Sequence, residues 1–240
     1  TEAGKILLSH SKTIFHEVEQ ARSAIQDLNG LQYGSLTIGS LLTVVNYLLP
    51  PTLLHFNTLY PNIELSVLGL RTGEIREKLF QNELDIGITF LPVQDKEIVS
   101  IPLYKSELTL VIPIGHPLSE LDHVSIKELQ NYPLILLPKN FYLTELLTTY
   151  CQNFSFKPKP ILEISTMESL IQMVSKGMGI TVLPKPYIDF LQNENIQAIK
   201  IEDPTPTIDI GLIYRKDKYM CAATREFIEQ LKRTVHSLQN

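Results

Sequence analysis

The sequence predicts an α/β protein built as two small subdomains behind one long N-terminal helix. Three observations carry that expectation. Strand-like runs alternate with helical runs of about ten residues, which is the pattern of βαβ units and a largely parallel sheet. The strands are too many to sit comfortably in a single sheet. Residues 1–30 repeat apolar groups on a heptad spacing that neither sheet would need.

In that opening stretch Leu7, Ile14, Ala21 and Leu28 recur every seven residues, and Val18 and Ile25 fill the intermediate positions. So narrow a stripe suits a partner helix better than a globular core, and residues 1–33 are expected to form a dimerisation helix. The other reading is that the helix packs on its own domain. Thr1 is the expected N-cap, and Asn29 or Gly30 the expected end.

After Gly30 the period changes. A strand is expected over Leu36–Ser40, then an apolar helical segment broken by Pro50-Pro51 that resumes over residues 52–59 and stops at Pro61. Strands follow at Ile63–Leu70 and Leu84–Thr89, separated by a helix over Thr72–Gln81 with Thr72 as its N-cap. Two further strands are expected at Val99–Leu103 and Leu108–Pro113. The second half repeats the logic, with strands at Leu134–Leu137, Ile161–Ile164 and Ile180–Leu183. Helices are expected over residues 143–154 and 167–176, with a shorter one at 187–192. Gly177 and Gly179 mark a turn needing positive φ or close backbone approach. Strands at Ile196–Ile201 and Ile208–Tyr214 and a helix over Met220–Leu238 close the chain.

The turn-rich segments Gly115-His116-Pro117 and Asp203-Pro204-Thr205-Pro206 are the expected crossovers. They give a discontinuous first subdomain, residues 34–113 with 208–240, around an inserted second one, residues 114–207. Two crossovers leave a cleft for a small ligand at the strand C-termini.

Composition narrows the function. The chain has 240 residues, 44% hydrophobic and 20% charged, with a formal charge of −5. It can bury a substantial core and is not disordered. It carries no cluster of Lys and Arg able to displace phosphate counterions, so by itself it is not expected to grip DNA. Cys151 and Cys221 are far apart and in no CxxC pair, which suits a reducing cytosol. No apolar run approaches the ~18 residues of a membrane span, and the N-terminus has no signal-peptide pattern.

No catalytic constellation is present. The chain has no GxSxG elbow, P-loop or GxGxxG, and its six histidines form no HExxH. No metal, catalytic group or cofactor is expected. The GxG of Gly177-Met178-Gly179 follows a helix rather than a strand, so it reads as a helix-ending turn and not a phosphate loop. Asp85 enters a buried strand; it could act as a base, but bonding to local backbone is the better reading because a buried carboxylate must be paired.

An ordered set of segments resembles the LysR-type transcriptional regulators. It begins with Thr1-Glu2-Ala3-Gly4 and the long helix, and continues through Gly34-Ser35-Leu36-Thr37-Ile38-Gly39 and Tyr60-Pro61-Asn62-Ile63-Glu64-Leu65. It includes Leu84-Asp85-Ile86-Gly87-Ile88, Leu108-Thr109-Leu110-Val111-Ile112-Pro113 and His116-Pro117-Leu118. Met173-Val174-Ser175-Lys176-Gly177-Met178-Gly179-Ile180 with Leu183-Pro184 completes it. The resemblance implies two Rossmann-like subdomains of the periplasmic-binding-protein type II kind, with the N-terminal helix as linker. It implies a cytoplasmic bacterial regulator that forms homodimers or homotetramers. Promoter DNA would be reached through a winged helix-turn-helix preceding Thr1.

The same resemblance places a small-molecule effector, possible anions included, against strand-to-helix turns, where free amides and a partial positive charge favour it. The matching residues are Ser40, Leu41, Leu42 and Thr43, then Thr89, then Pro138, Lys139, Asn140 and Phe141, then Ser165, Thr166 and Met167. Each Ser or Thr also reads as an ordinary N-cap. Lys139, and after it Arg71, are the candidates for charge selection; the alternative for each is a solvated surface cation. Leu41 and Leu42 depart from the family, which often has small or polar residues there, and imply a smaller pocket or a partly apolar ligand. The rival reading is a solute-binding protein of a transport system. It explains a cleft but not the heptad arm.

Overall fold

The structure, a computed structural model, describes residues 1–27 and 33–239. Helix α1 (Glu2–Asp27) starts where expected: Thr1 Oγ1 accepts the Gly4 amide at 3.1 Å and the Thr1 carbonyl accepts that of Lys5. Leu28, Asn29 and Gly30, the last heptad position and the expected helix end, lie outside the described residues. Leu7, Ile14, Val18 and Ile25 are each more than half exposed, with Ile6, Leu8 and Phe15 beside them, and Ala21 is exposed too.

The chain divides into two compact units, Thr1–Tyr104 with Asp209–Asn240, and Lys105–Ile208. Each is a mixed α/β layer structure. In the first, β1 (Gly34–Leu41) lies between β2 (Ile63–Leu70) and β3 (Ile86–Leu91), parallel to both. Residues 209–213, the part of β10 (Thr207–Arg215) in this unit, run antiparallel along β3, Gly211 opposite Thr89. Leu36, Ile38, Ile86 and Ile88 are fully buried. Strand β3, covered on both faces, reads as a mostly apolar run, whereas β1 and β2 alternate, and each pattern marks its strand in the sequence. Helices α2 (Leu42–Tyr47), α3 (Leu49–Leu59), α4 (Thr72–Phe80) and α8 (Ala222–Gln239) complete the unit. Phe56 of α3 meets Phe227 of α8 edge-on, ring centres 5.5 Å apart.

The second unit contains residues 105–113 of β4 (Ile98–Pro113), which pairs antiparallel with β8 (Thr181–Pro184) and β9 (Ile196–Glu202). The short β5 (His123–Ser125) adds parallel to β9. A parallel pair, β6 (Leu134–Leu136) and β7 (Pro160–Glu163), is bridged to the turn before β8 through Leu134 and Ile180. Helices α5 (Tyr142–Gln152), α6 (Met167–Ser175) and α7 (Lys185–Leu191) cover it, and Leu147, Cys151, Val174 and Ile201 are among its buried side chains.

Three expectations need correction, and three short elements were not foreseen. Pro50-Pro51 opens α3 rather than breaking a helix, because the first turn needs no amide donors; the break is two residues before Pro50, at Leu48. The two strands expected between Val99 and Pro113 are one, since the polar run Tyr104–Glu107 interrupts the apolar pattern but not the backbone. Thr72 is not an N-cap: Arg71 holds that place, and the Glu74 carboxylate caps its amide at 2.8 Å. Finally, β5 and the 3-10 helices at Pro117–Glu120 and Ile126–Asn131 have no periodicity long enough to announce them.

Candidate functional site

In the first unit the parallel strands β1, β2 and β3 end on one edge, and the predicted residues collect there. Ser40 sits opposite Ile88, one residue before Thr89. Both hydroxyl-bearing residues are fully buried. Ser40 Oγ bonds the Leu41 carbonyl at 3.3 Å, and Thr89 Oγ1 donates to Thr72 Oγ1 at 3.1 Å. Thr72, read from the sequence as a cap, is instead the hydroxyl that orients Thr89; a bond between the start of a helix and the following strand leaves no local signal. Thr43 is buried within α2, and no side chain caps that helix.

Leu41 is buried, whereas Leu42 is 61% exposed. Gly69 makes room for it: a Cβ there would lie 2.4 Å from Leu42 Cδ2. The Leu42 side chain thus lies over the end of β2. Arg71 follows β2 directly, its guanidinium 3.2 Å from the Glu74 carboxylate. The Arg71 amide and then its guanidinium hold that carboxyl below its ordinary range.

The second unit has a matching edge, where β6 and β7 run parallel. Ile164, just past β7, donates its amide to Leu136 at 3.0 Å. After β6 the turn Pro138–Phe141 is closed by the Phe141 amide on the Pro138 carbonyl at 2.9 Å. Thr144 Oγ1 ties the start of α5 to the Leu137 carbonyl at 2.9 Å. Lys139 and Asn140 are exposed at the tip, Pro138 and Phe141 half-buried. Lys139 makes no ion pair among the described residues. After β7, Ser165 and Thr166 are exposed and Met167 half-buried; Thr166 holds the N-cap place of α6 but its hydroxyl makes no capping bond. Within each unit, therefore, the predicted residues lie together on the edge where parallel strands end.

Asp85 accepts the Thr37 amide at 2.7 Å through Oδ2. Its second oxygen lies 2.8 Å from Lys218 Nζ, which also donates to the Leu84 carbonyl. The carboxylate binds backbone, but that of Thr37 on the neighbouring β1 rather than local backbone, and Lys218 is the partner that sequence spacing did not supply.

Two α/β units with hydroxyl-bearing turns at their strand ends define a regulatory domain of the periplasmic-binding-protein type II kind. Residues 29–235 match the family described as the LysR substrate binding domain, and the chain belongs to that family. It is 28% identical over 233 residues to the HTH-type transcriptional regulator GltR of Bacillus subtilis (strain 168), covering 97% of this chain and 77% of GltR. Among solved structures, a Corynebacterium glutamicum OxyR variant is similar at TM-score 0.78 and 25% identity, over 99% of this chain and 76% of that one. The effector binding domain of QuiR in complex with shikimate shares the fold at TM-score 0.77 and 22% identity, over 86% of this chain and 99% of QuiR's. These relatives are regulators, which favours that class over a solute-binding protein of a transport system. No described helix is long and apolar enough to cross a membrane.

Proposed function

We propose that this chain is the effector-sensing and oligomerisation part of a transcriptional regulator acting in the cytoplasm, with no reaction of its own. The carrying observation is family membership over residues 29–235. Supporting it, Ser40, Thr43 and Thr89 in one unit and Pro138–Phe141 with Ser165–Met167 in the other line strand ends of the sort that hold small ligands. Leu41 and Leu42 add apolar surface. QuiR was solved with shikimate, a small hydroxylated carboxylate, and a ligand of comparable size is our reading here. The division between Tyr104 and Lys105 and between Ile208 and Asp209 supports two regulatory subdomains joined by two crossings.

A ligand that binds one arrangement of the domain better than another shifts the population toward it. The linker helix α1 would carry that bias to a DNA-binding segment of the helix-turn-helix kind for which the relatives are named. Its exposed Leu7, Ile14, Val18, Ala21 and Ile25 would pair with the same stripe of a second copy.

Native mass spectrometry of the purified chain tests both parts. The parent should appear as a dimer or tetramer carrying a small added mass per subunit. Thr166→Trp, at an exposed position, and Thr89→Val, which removes a hydroxyl at constant volume, should keep the assembly and lose the mass. Retention of the added mass in both variants overturns the placement of the ligand, and a strict monomer overturns the pairing of α1.

A further inference from the structure

Thr89 carries no exposed surface, so a molecule arriving at this edge of the first unit does not reach its hydroxyl directly. Thr72 stands in front of it. That residue opens α4, is only half-buried, and lies 3.1 Å from Thr89, oxygen to oxygen.

Burial fixes the direction of the bond. A hydroxyl brings one proton, and a buried proton needs an acceptor. Thr89 Oγ1 makes no other hydrogen bond among the described residues, and water does not reach it. If Thr72 donated, the Thr89 proton would be left buried and unpaired, the costlier arrangement. Thr89 therefore donates and Thr72 accepts. The proton of Thr72 itself has no acceptor among the described residues, and its side chain reaches the surface. The space beside it is open, since a Cβ on Gly73 would meet nothing within 4 Å. The flanking charges offset each other, with the Arg71 guanidinium 3.2 Å from the Glu74 carboxylate. What remains is the slight positive end of α4.

We propose that Thr72 is the side chain that meets the effector in the first unit, donating its proton to a carboxylate oxygen, and that Thr89 is a positioning residue behind it. Thr89 occupies one lone pair of Thr72 Oγ1 and so narrows the directions open to the outward proton. The edge then reads its ligand as an acceptor of hydrogen bonds. Thr72 has this role only if the strand-end site proposed above is the effector site.

Acetate, a carboxylate with almost nothing else attached, is the probe. It is titrated into the isotopically labelled full chain, against chloride at equal ionic strength, and followed by NMR at the Thr72 and Gly73 amides. Both amides should shift and saturate. Thr72→Val should raise the Kd for acetate at least about tenfold, the loss of a charge-assisted hydrogen bond. Thr89→Val should raise it by less, and Thr89→Ser should restore it. Because Thr72→Val alone strands the Thr89 proton, the double variant Thr72→Val with Thr89→Val is the folded counterpart. It removes both hydroxyls, leaves no buried group unpaired, and should bind acetate as poorly as Thr72→Val. The proposal fails if the parent amides do not saturate, or if the double variant or Thr89→Val binds acetate as tightly as the parent. Failure of the strand-end site shows elsewhere, as a copurified mass that both Thr89→Val and Thr166→Trp retain.

Discussion

The Lys218 ammonium lies 2.8 Å from Asp85 Oδ1 while the other carboxylate oxygen accepts the Thr37 amide at 2.7 Å. One side chain from the loop before α8 thereby closes over the start of β3 and the middle of β1. Lys218 also donates to the Leu84 carbonyl, so three elements meet at a pair of which the lysine is 10% and the aspartate 27% exposed. Asp85 is a joint of the first unit rather than a reacting group.

Lys218→Met should therefore destabilise the first unit, because the Asp85 charge stays in place with one partner gone. Part of that charge still reaches water, so the cost is placed at about 2 kcal/mol rather than the ~3–5 of a fully buried pair. Urea unfolding with a double cycle through Asp85→Asn measures it. A coupling of zero would show that the two charges are independent.

A second joint gives stability a pH dependence. The Tyr47 and Tyr104 hydroxyls bond to each other, linking α2 to β4. Burial pushes the Tyr47 hydroxyl from its ordinary 10.0 up to about 12, and pushes that of Tyr104 up too. A raised folded pKa means that the folded state keeps a proton the unfolded chain releases. This contribution is complete below about pH 10 and is lost as pH rises toward 12, at about 1.4 kcal/mol per pH unit for each tyrosine. Urea midpoints should be flat from neutral to mildly alkaline pH and fall beyond it. Tyr47→Phe should remove part of that slope while costing about 1 kcal/mol at neutral pH, since Tyr104 loses its partner. An unchanged alkaline slope would mean that other groups titrate there.

Strand β3 was legible because both its faces are buried, leaving a mostly apolar run, and β2 because apolar groups alternate with the exposed Glu64 and Ser66 along Ile63–Leu70. The edge positions Ser40, Thr89 and Thr166 were named through a family pattern that fixes where strands stop. What escaped was long-range. Lys218 and Asp85, like Thr72 and Thr89, meet only after the sheet has formed, and no spacing in the chain encodes the meeting. Pro50-Pro51 misled because a proline pair stops one helix and starts another equally well.

Gly177 and Gly179 bear out the expected turn, each for a different physical reason, and substitution separates them. Gly177 has φ +76° with nothing within 4 Å of an added Cβ. Gly179 has ordinary φ, but a Cβ would lie 2.5 Å from the Pro133 carbonyl oxygen, whose acceptor bond from the Ile180 amide holds the bridge to β6. Gly177→Ala should cost about 1 kcal/mol of backbone strain. Gly179→Ala should cost about 2–3, because backbone must move and the bridge loosens. Thermal melts of both variants check the order; a smaller loss for Gly179→Ala would show that the second unit can yield there.

The stripe on α1 makes a prediction that reads out association rather than folding. Ile14 is 63% exposed and Val18 56%, and neither rests on the first unit's core. Exposed to water, they contribute nothing to the stability of one chain; buried against a second copy, a branched aliphatic side chain is worth about 1.5–3 kcal/mol. Ile14→Lys, present on both partners of a dimer, should then cost roughly 3 kcal/mol, a rise in Kd of about a hundredfold or more. The monomer's own unfolding midpoint should not move, because the exchanged side chain was in solvent. Sedimentation equilibrium, run beside urea unfolding, separates the two effects. If Ile14→Lys stays as associated as the parent, the copies meet through another surface and α1 serves as a spacer alone. If association and folding are lost together, α1 packs on its own unit, which is the alternative that its heptad spacing argued against.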